Sequence, residues 1–165
     1  MGNMSEVTEA DLMIRSVEHG DLKKLMEHRN DWGTRRFLED CREVTEEDQE
    51  RWFKGASERY RIIELEGLRI GLMRFHAYAG GDAEIGVDIF REHRRHGYGT
   101  AAMQRAILMA RELGCKSCSL WVFMENDPAL AIYAKLKFMI DMNTPMKFFF
   151  RGPTPMHYVR MVLAL

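Results

Sequence analysis

The chain has 165 residues, 46% of them apolar and 30% charged, and its 24 Lys+Arg oppose 25 Asp+Glu for a formal net charge of −1. That length suits one domain with a core that needs no disulfide or metal. The near balance of charge excludes a polybasic nucleic-acid coat, an acidic tail and a disordered polyelectrolyte. No run reaches the roughly 18 apolar residues of a membrane span. The first residues carry acids where a secretory leader would be basic and then apolar. Glu6 stands where an N-myristoylation pattern wants Ser or Thr. Cys41, Cys115 and Cys118 are an odd count for a secreted scaffold, so a cytoplasmic protein with reduced thiols is expected.

Residues 1–11 read as an N-terminal extension and 12–165 as one domain. Residues 12–17 suggest a first strand, and 21–30 a helix with Leu22, Leu25 and Met26 at helical spacing. Thr45 can cap a second helix, with Glu46, Glu47 and Asp48 at the positive end of its dipole. That helix is predicted to reach about Lys54, just before Gly55, and to bury Trp52 and Phe53. Strands are predicted over 59–65 and 69–78, joined by a Glu66-Gly67 hairpin turn, and after a second turn at 79–82 over 83–90. In the last of these Ile85, Val87 and Ile89 share one face, and Glu84, Gly86 and Asp88 the other. From Gly97 the period becomes helical, with Met103, Ile107 and Ala110 in one stripe flanked by Ala106 and Leu113, and with Gly114 as the stop. Residues 116–123 suit a buried strand. Asp127-Pro128 opens another helix, and two further strand-like runs occupy 138–165. This alternation predicts a mixed α/β layer structure.

Arg94-Arg95-His96-Gly97-Tyr98-Gly99-Thr100 lies between a strand and a long helix. Glycines there let a ligand approach the backbone, and the first helical amides are unpaired, so this end of the helix can hold a phosphate. Arg94 and Arg95 add charge suited to a pyrophosphate. By itself the segment could equally be a flexible strand-to-helix turn. It is no P-loop, because no Lys follows Gly99, and no dinucleotide fold, because at least three strands precede it.

R-x-x-G-x-G at 94–99, a strand, and then N-x-x-A-x-x-x-Y-x-K-L-x-F from Asn126 to Phe138 resemble the GNAT superfamily of acetyl-CoA-dependent N-acetyltransferases. Glu84-Ile85-Gly86 and the Glu66-Gly67…Ile70-Gly71 segment fit the same pattern. Arg29-Asn30, Glu46 and Trp52-Phe53 bring the chain nearest to the branch that acetylates ribosomal-protein N-termini and related amines. The resemblance covers about residues 12–164. It implies a single-domain α/β fold with helices on both faces of a mixed, mostly antiparallel sheet, splayed between the strands near 84–90 and 116–123.

The resemblance also implies roles. Val87, Asp88 and Ile89 would offer backbone groups to the pantetheine arm of acetyl-CoA. Arg95, His96, Gly97, Tyr98, Gly99 and Thr100 would cradle the pyrophosphate, with Arg94 at the motif's first position. Asn126 would hydrogen-bond the cofactor arm. Lys135 would lie near the phosphates or simply at the surface. Tyr133 would give a proton to the departing thiolate, as a phenol with an ordinary pKa near 10 can, although it also suits a packing aromatic. Glu84 is the candidate base for the amine, directly or through water, against the alternative of a solvated strand-end carboxylate. No metal is implied: Cys115 and Cys118 lack a second ligand pair, and His93 and His96 flank arginines. Two departures stand out. Lys137 replaces the usual Gly before the Phe, and Trp121 stands where some N-terminal acetyltransferases carry a Glu.

The expected activity is transfer of acetyl from acetyl-CoA to a primary amine. A protein N-terminus, an amino sugar, a polyamine, an aminoglycoside and an amine on a modified base all remain open, as does a homodimer. The competing classes are a non-catalytic CoA-binding regulatory domain of the same fold and a nucleic-acid-binding module using Arg91, Arg94 and Arg95. The charge balance disfavours the latter.

Overall fold

Ile62 and Ile63 are adjacent in one strand and both fully buried, which requires a sheet covered on both faces. A computed structural model describes residues 7–165 of the chain. The myristoylation reading and the first six residues of the leader reading, which spans 1–11, lie outside the described residues.

The eight strands are β1 (Leu12–Ser16), β2 (Tyr60–Leu65), β3 (Leu68–Ala77), β4 (Asp82–Ile89), β5 (Ser117–Phe123), β6 (Met139–Ile140), β7 (Lys147–Phe150) and β8 (Pro155–Ala164). They form one sheet in the order β1-β2-β3-β4-β5-β8-β6, with β7 also on β8. Every pairing is antiparallel except β4 with β5. The helices are α1 (Leu22–Asn30), α2 (Trp32–Arg35), α3 (Glu46–Ala56), α4 (Tyr98–Glu112) and α5 (Asp127–Lys135). Among the described residues no helix is long and apolar enough to cross a membrane.

On one face α4 lays Ala101, Ala102, Met103, Ala106, Ile107 and Ala110 over Ile63, Ile70 and Ile85, and Tyr133 of α5 joins the same core. The alanines allow helix and sheet to approach closely, and each large apolar side chain buried there contributes about 1.5–3 kcal/mol. On the other face Leu22 and Leu25 of α1 cover Ile62 and Phe90, with Trp52 and Phe53 of α3 at the margin. Helices on both faces, the Glu66-Gly67 turn (φ 51° and 80°) and the Gly114 stop (φ 73°) are as predicted.

The structure corrects several expectations. Helix α3 passes through Gly55 to Ala56, because the Thr45–Asp48 capping box fixes its start and Gly55 has open space around it. Trp52 and Phe53 are partly buried rather than buried. Leu113 is 64% exposed, since α4 ends at Glu112 and Leu113 belongs to its cap. Helix α2 was not foreseen, and the C-terminal part makes three strands, not two.

Lys137 adopts the left-handed conformation (φ 69°) that usually selects glycine. It closes α5 in a Schellman arrangement: Lys137 N–H donates to Ala134 O at 3.1 Å and Phe138 N–H to Tyr133 O at 2.9 Å. The Phe138 ring rests on Tyr133 with centroids 5.8 Å apart. A lysine at this place therefore leaves the turn intact but strained. Lys137→Gly is expected to stabilise the protein by about 0.5–1 kcal/mol, read as a melting temperature about 1–4 °C higher.

Candidate active site

The parallel pair β4–β5 is in register only at Asp82↔Ser117, Ala83↔Cys118 and Glu84↔Ser119. Asp82 locks this closed end, accepting hydrogen bonds from Ser117 Oγ at 2.8 Å, Ser119 Oγ at 2.5 Å and Arg160 Nη2 at 3.0 Å. Beyond it, β5 stays with β8 through Phe123 while β4 runs on to Ile89 against β3 alone. The sheet opens at the predicted place.

Backbone groups alternate in direction along an antiparallel strand. Tyr78 N–H donates to Asp82 O and Phe90 N–H to Ile70 O, so even-numbered residues of this stretch turn toward β3. Val87 and Ile89 thus present their amides and carbonyls to the opening. Asp88, expected to do the same, spends its backbone on β3 and offers only its side chain. Ile89 O already accepts from Arg94 Nε at 2.9 Å.

Below the opening, Arg95 (φ 66°) and Gly97 (φ 80°) are both left-handed, and Gly97 caps α4. In the described chain the N–H groups of Arg95, His96, Gly97, Tyr98 and Gly99 have no acceptor, whereas Thr100 N–H is taken by Gly97 O at 3.1 Å. Alternating handedness with unpaired amides is the pattern of an anion nest, here joined to a 15-residue helix. The Arg94 side chain is anchored away from that turn. Its Nη2 donates to Thr34 Oγ1 at 2.9 Å, so with the Ile89 bond it braces α2 against the end of β4. His96 stacks on Tyr98 at 5.4 Å. Lys135 is exposed at the last residue of α5.

Tyr133 is 8% exposed. Its hydroxyl has no partner in the described chain, and it is not among the side-chain polar atoms that are both sealed from solvent and unpaired, which are His28 Nε2, Arg35 Nε and Arg151 Nε. Burial, and after it the charge of Asp88, push its pKa up, so at neutral pH it is a proton donor. Asn126 Oδ1 caps α5 by accepting from Ala129 N–H at 3.4 Å, which leaves its Nδ2 group for a ligand.

Glu84 is ion-paired to Arg74 Nη2 at 3.2 Å and accepts from the Tyr78 hydroxyl at 3.1 Å. Four residues along the same face, Asp88 is exposed and has no ion-pair partner among the described residues. Its charge is felt by Tyr133, by Tyr158 of β8, by Arg74 of β3 and by His28 of α1. These elements are far apart in sequence, and no local motif could announce Asp88, Arg74, Tyr158 and His28 as neighbours. Only the Arg74↔Gly86 register, set by the turn at 79–82, was within reach of the sequence.

His28 is 8% exposed, beside Phe90 with ring centroids 5.0 Å apart. Burial holds its pKa below the ordinary 6.5. The unfolded chain therefore binds a proton that the folded one refuses, and stability falls as pH drops below 6.5. Melting temperatures of wild type and His28→Leu between about pH 7.5 and 5.5 should diverge, the wild type losing up to about 1.4 kcal/mol more per unit.

A sheet split along its parallel pair, a long helix that starts with partnerless amides and a buried tyrosine with an unpaired hydroxyl on the next helix make up the architecture of an acetyltransferase of the GNAT type. The chain belongs to that family: the model of the acetyltransferase (GNAT) family matches residues 22–138. It is 28% identical over 133 residues to the Bacillus subtilis (strain 168) protein named "Putative phosphinothricin acetyltransferase YwnH", covering 75% of this chain and 82% of that one. Its fold superposes with a TM-score of 0.81 on spermidine N-acetyltransferase from Vibrio cholerae, solved in complex with CoA and spermine, at 23% identity over 94% of this chain and 96% of the other. Ribosomal-protein-alanine N-acetyltransferase from Brucella melitensis superposes at 0.74 with 18% identity, over 93% and 99% of the two chains.

Proposed function

We propose that this N-acetyltransferase moves the acetyl group of acetyl-CoA to a primary amine, on a protein N-terminus or on a small molecule such as an amino sugar. The observation that carries this reading is the strand edge of β4, open at both backbone groups of Val87 and at the Ile89 amide, together with the partnerless amides of Arg95–Gly99. A diphosphate suits those five N–H groups and the helix dipole, and an amide-bearing arm suits the open strand edge. Bound acetyl-CoA supplies the thioester; everything else is done by the chain. The amides of Arg95, His96, Gly97, Tyr98 and Gly99 hold the diphosphate, with Thr100 fixing the first helical turn and Arg95 supplying the charge. Arg94 keeps Ile89 and α2 in place, so its part in cofactor binding is indirect. Asn126 Nδ2 donates to the arm, and Lys135 adds a cation near the outer phosphates.

Tyr133 gives its hydroxyl proton to the sulfur as the amine nitrogen bonds to the carbonyl carbon and the C–S bond breaks. Glu84 takes the amine's proton through water, with Arg74 and Tyr78 fixing its orientation. Retention of both Asn126 and an unpartnered Tyr133 hydroxyl favours this over a regulatory CoA-binding domain. Titration calorimetry with CoA, followed by thiol release across protein N-termini, amino sugars, aminoglycosides and alkylamines, tests it. Binding with thiol release on one amine class is expected. Binding without turnover on any class would return the chain to the regulatory alternative, and no binding would overturn both.

A further inference from the structure

The face of the sheet that carries Glu84 continues past the opening into an aromatic shelf. Trp121 lies two residues beyond Ser119, on the same side of β5, and stacks on Tyr158 with centroids 5.2 Å apart and planes 22° apart. Phe123 and Phe149 close the far side at 4.5 and 5.6 Å from Tyr158. Above this shelf sits an ammonium from the chain itself: Lys147 Nζ is 4.2 Å from the Trp121 centroid, 5.8 Å from that of Tyr158 and 3.5 Å from Glu39 Oε1. Glu39 does not depend on that contact for its place. Arg151 Nη2 donates to the Leu38 and Glu39 carbonyls at 2.6 and 2.7 Å, tying the loop to the β7–β8 hairpin. The Lys147 side chain is about half exposed, so its pairing is weak and easily exchanged. Two aromatic faces and a carboxylate held from elsewhere are a receptor for a cation, and Lys147 fills it on an exposed tether.

Resting on the acetyltransferase reading above, we infer that the acceptor carries a second positive charge besides the amine that reacts, and that this charge takes the place of Lys147 on Trp121 and Tyr158. The reacting amine then points back along the face toward Glu84 and the opening of the sheet. Lys147 is a built-in competitor for the subsite. Monoamines lack the second charge, leave Lys147 in place and bind poorly.

The test compares straight-chain terminal diamines from propane to octane, each with the monoamine in which a methyl replaces the distant ammonium, by thiol release from acetyl-CoA. At the best length the diamine is expected to have kcat/KM about tenfold or more above its monoamine, with the difference in KM. Lys147→Gln, on an exposed strand, should lower the diamine KM several-fold and thereby widen the ratio. Trp121→Leu should bring the ratio near one, and Trp121→Phe should leave it intermediate. Equal kcat/KM for the two members of every pair, or a ratio that survives Trp121→Leu, overturns the inference while leaving acetyl transfer to amines standing. Absence of both CoA binding and thiol release overturns the proposed function, and this inference with it.

Discussion

Tyr133→Phe is expected to lower kcat by about 10²–10⁴-fold, the usual worth of a positioned proton donor, while the CoA dissociation constant stays within a factor of about two. The asymmetry follows from the site. The hydroxyl has no partner within the described chain, so its removal breaks no protein hydrogen bond and should shift stability by no more than about 0.5 kcal/mol. The ring keeps its contact with Phe138, and the amides of Arg95–Gly99 are untouched. What is lost is a proton that burial retains on oxygen. Thiol release at saturating amine, calorimetry with CoA and a thermal melt separate the possibilities. Equal losses of turnover and CoA affinity would make Tyr133 a packing residue.

Gly71→Ala is expected to harm binding and stability together. Gly71 pairs with Ile89 at the outer end of β4, and a Cβ added there would lie 2.6 Å from Asp88 O and 3.1 Å from Ile89 Cδ1. The first of these is backbone and cannot rotate away, so β3 and β4 must move apart at the place where β4 has no partner on its other side. Overpacking of this kind costs about 1–3 kcal/mol. Displacement of Val87 and Ile89 should raise the CoA dissociation constant by roughly tenfold or more, since about 1.4 kcal/mol is already a factor of ten. Gly80→Ala, where an added Cβ meets nothing within 4 Å, is the control and should change neither quantity. A Gly71→Ala protein with wild-type CoA affinity would mean that the open edge of β4 does not hold the arm.

These two residues stood differently in the sequence. Tyr133 stood out through the resemblance, because its distance from the cap Asn126 belongs to a pattern that lies within one short segment. Gly71 drew notice only as part of a pattern, and its reason is a strand seventeen residues away in sequence whose carbonyl nearly touches it. Arg94 shows the same limit from the other side. Its place at the head of the motif was plain, but its guanidinium turns to Thr34, sixty positions earlier, rather than to the turn. Trp121 was visible only as a departure from an expected Glu, and its partnership with Tyr158 and Lys147 waited on the β5–β8 and β7–β8 registers.

By itself the sequence determined most of the element types, the hairpin at Glu66-Gly67, the amide-lined start of α4 and the helix bearing Asn126 and Tyr133. All of these rest on periodicity, capping and glycine conformations within a few residues. The tertiary structure alone decided which backbone groups of β4 face the opening, where Arg94 anchors its guanidinium, and that the charge of Asp88 reaches Arg74, Tyr158 and His28. It also decided that Lys147 lies on an aromatic shelf. Those are contacts between distant segments, fixed by strand register and by the packing of two helical layers, and no local spacing encodes them.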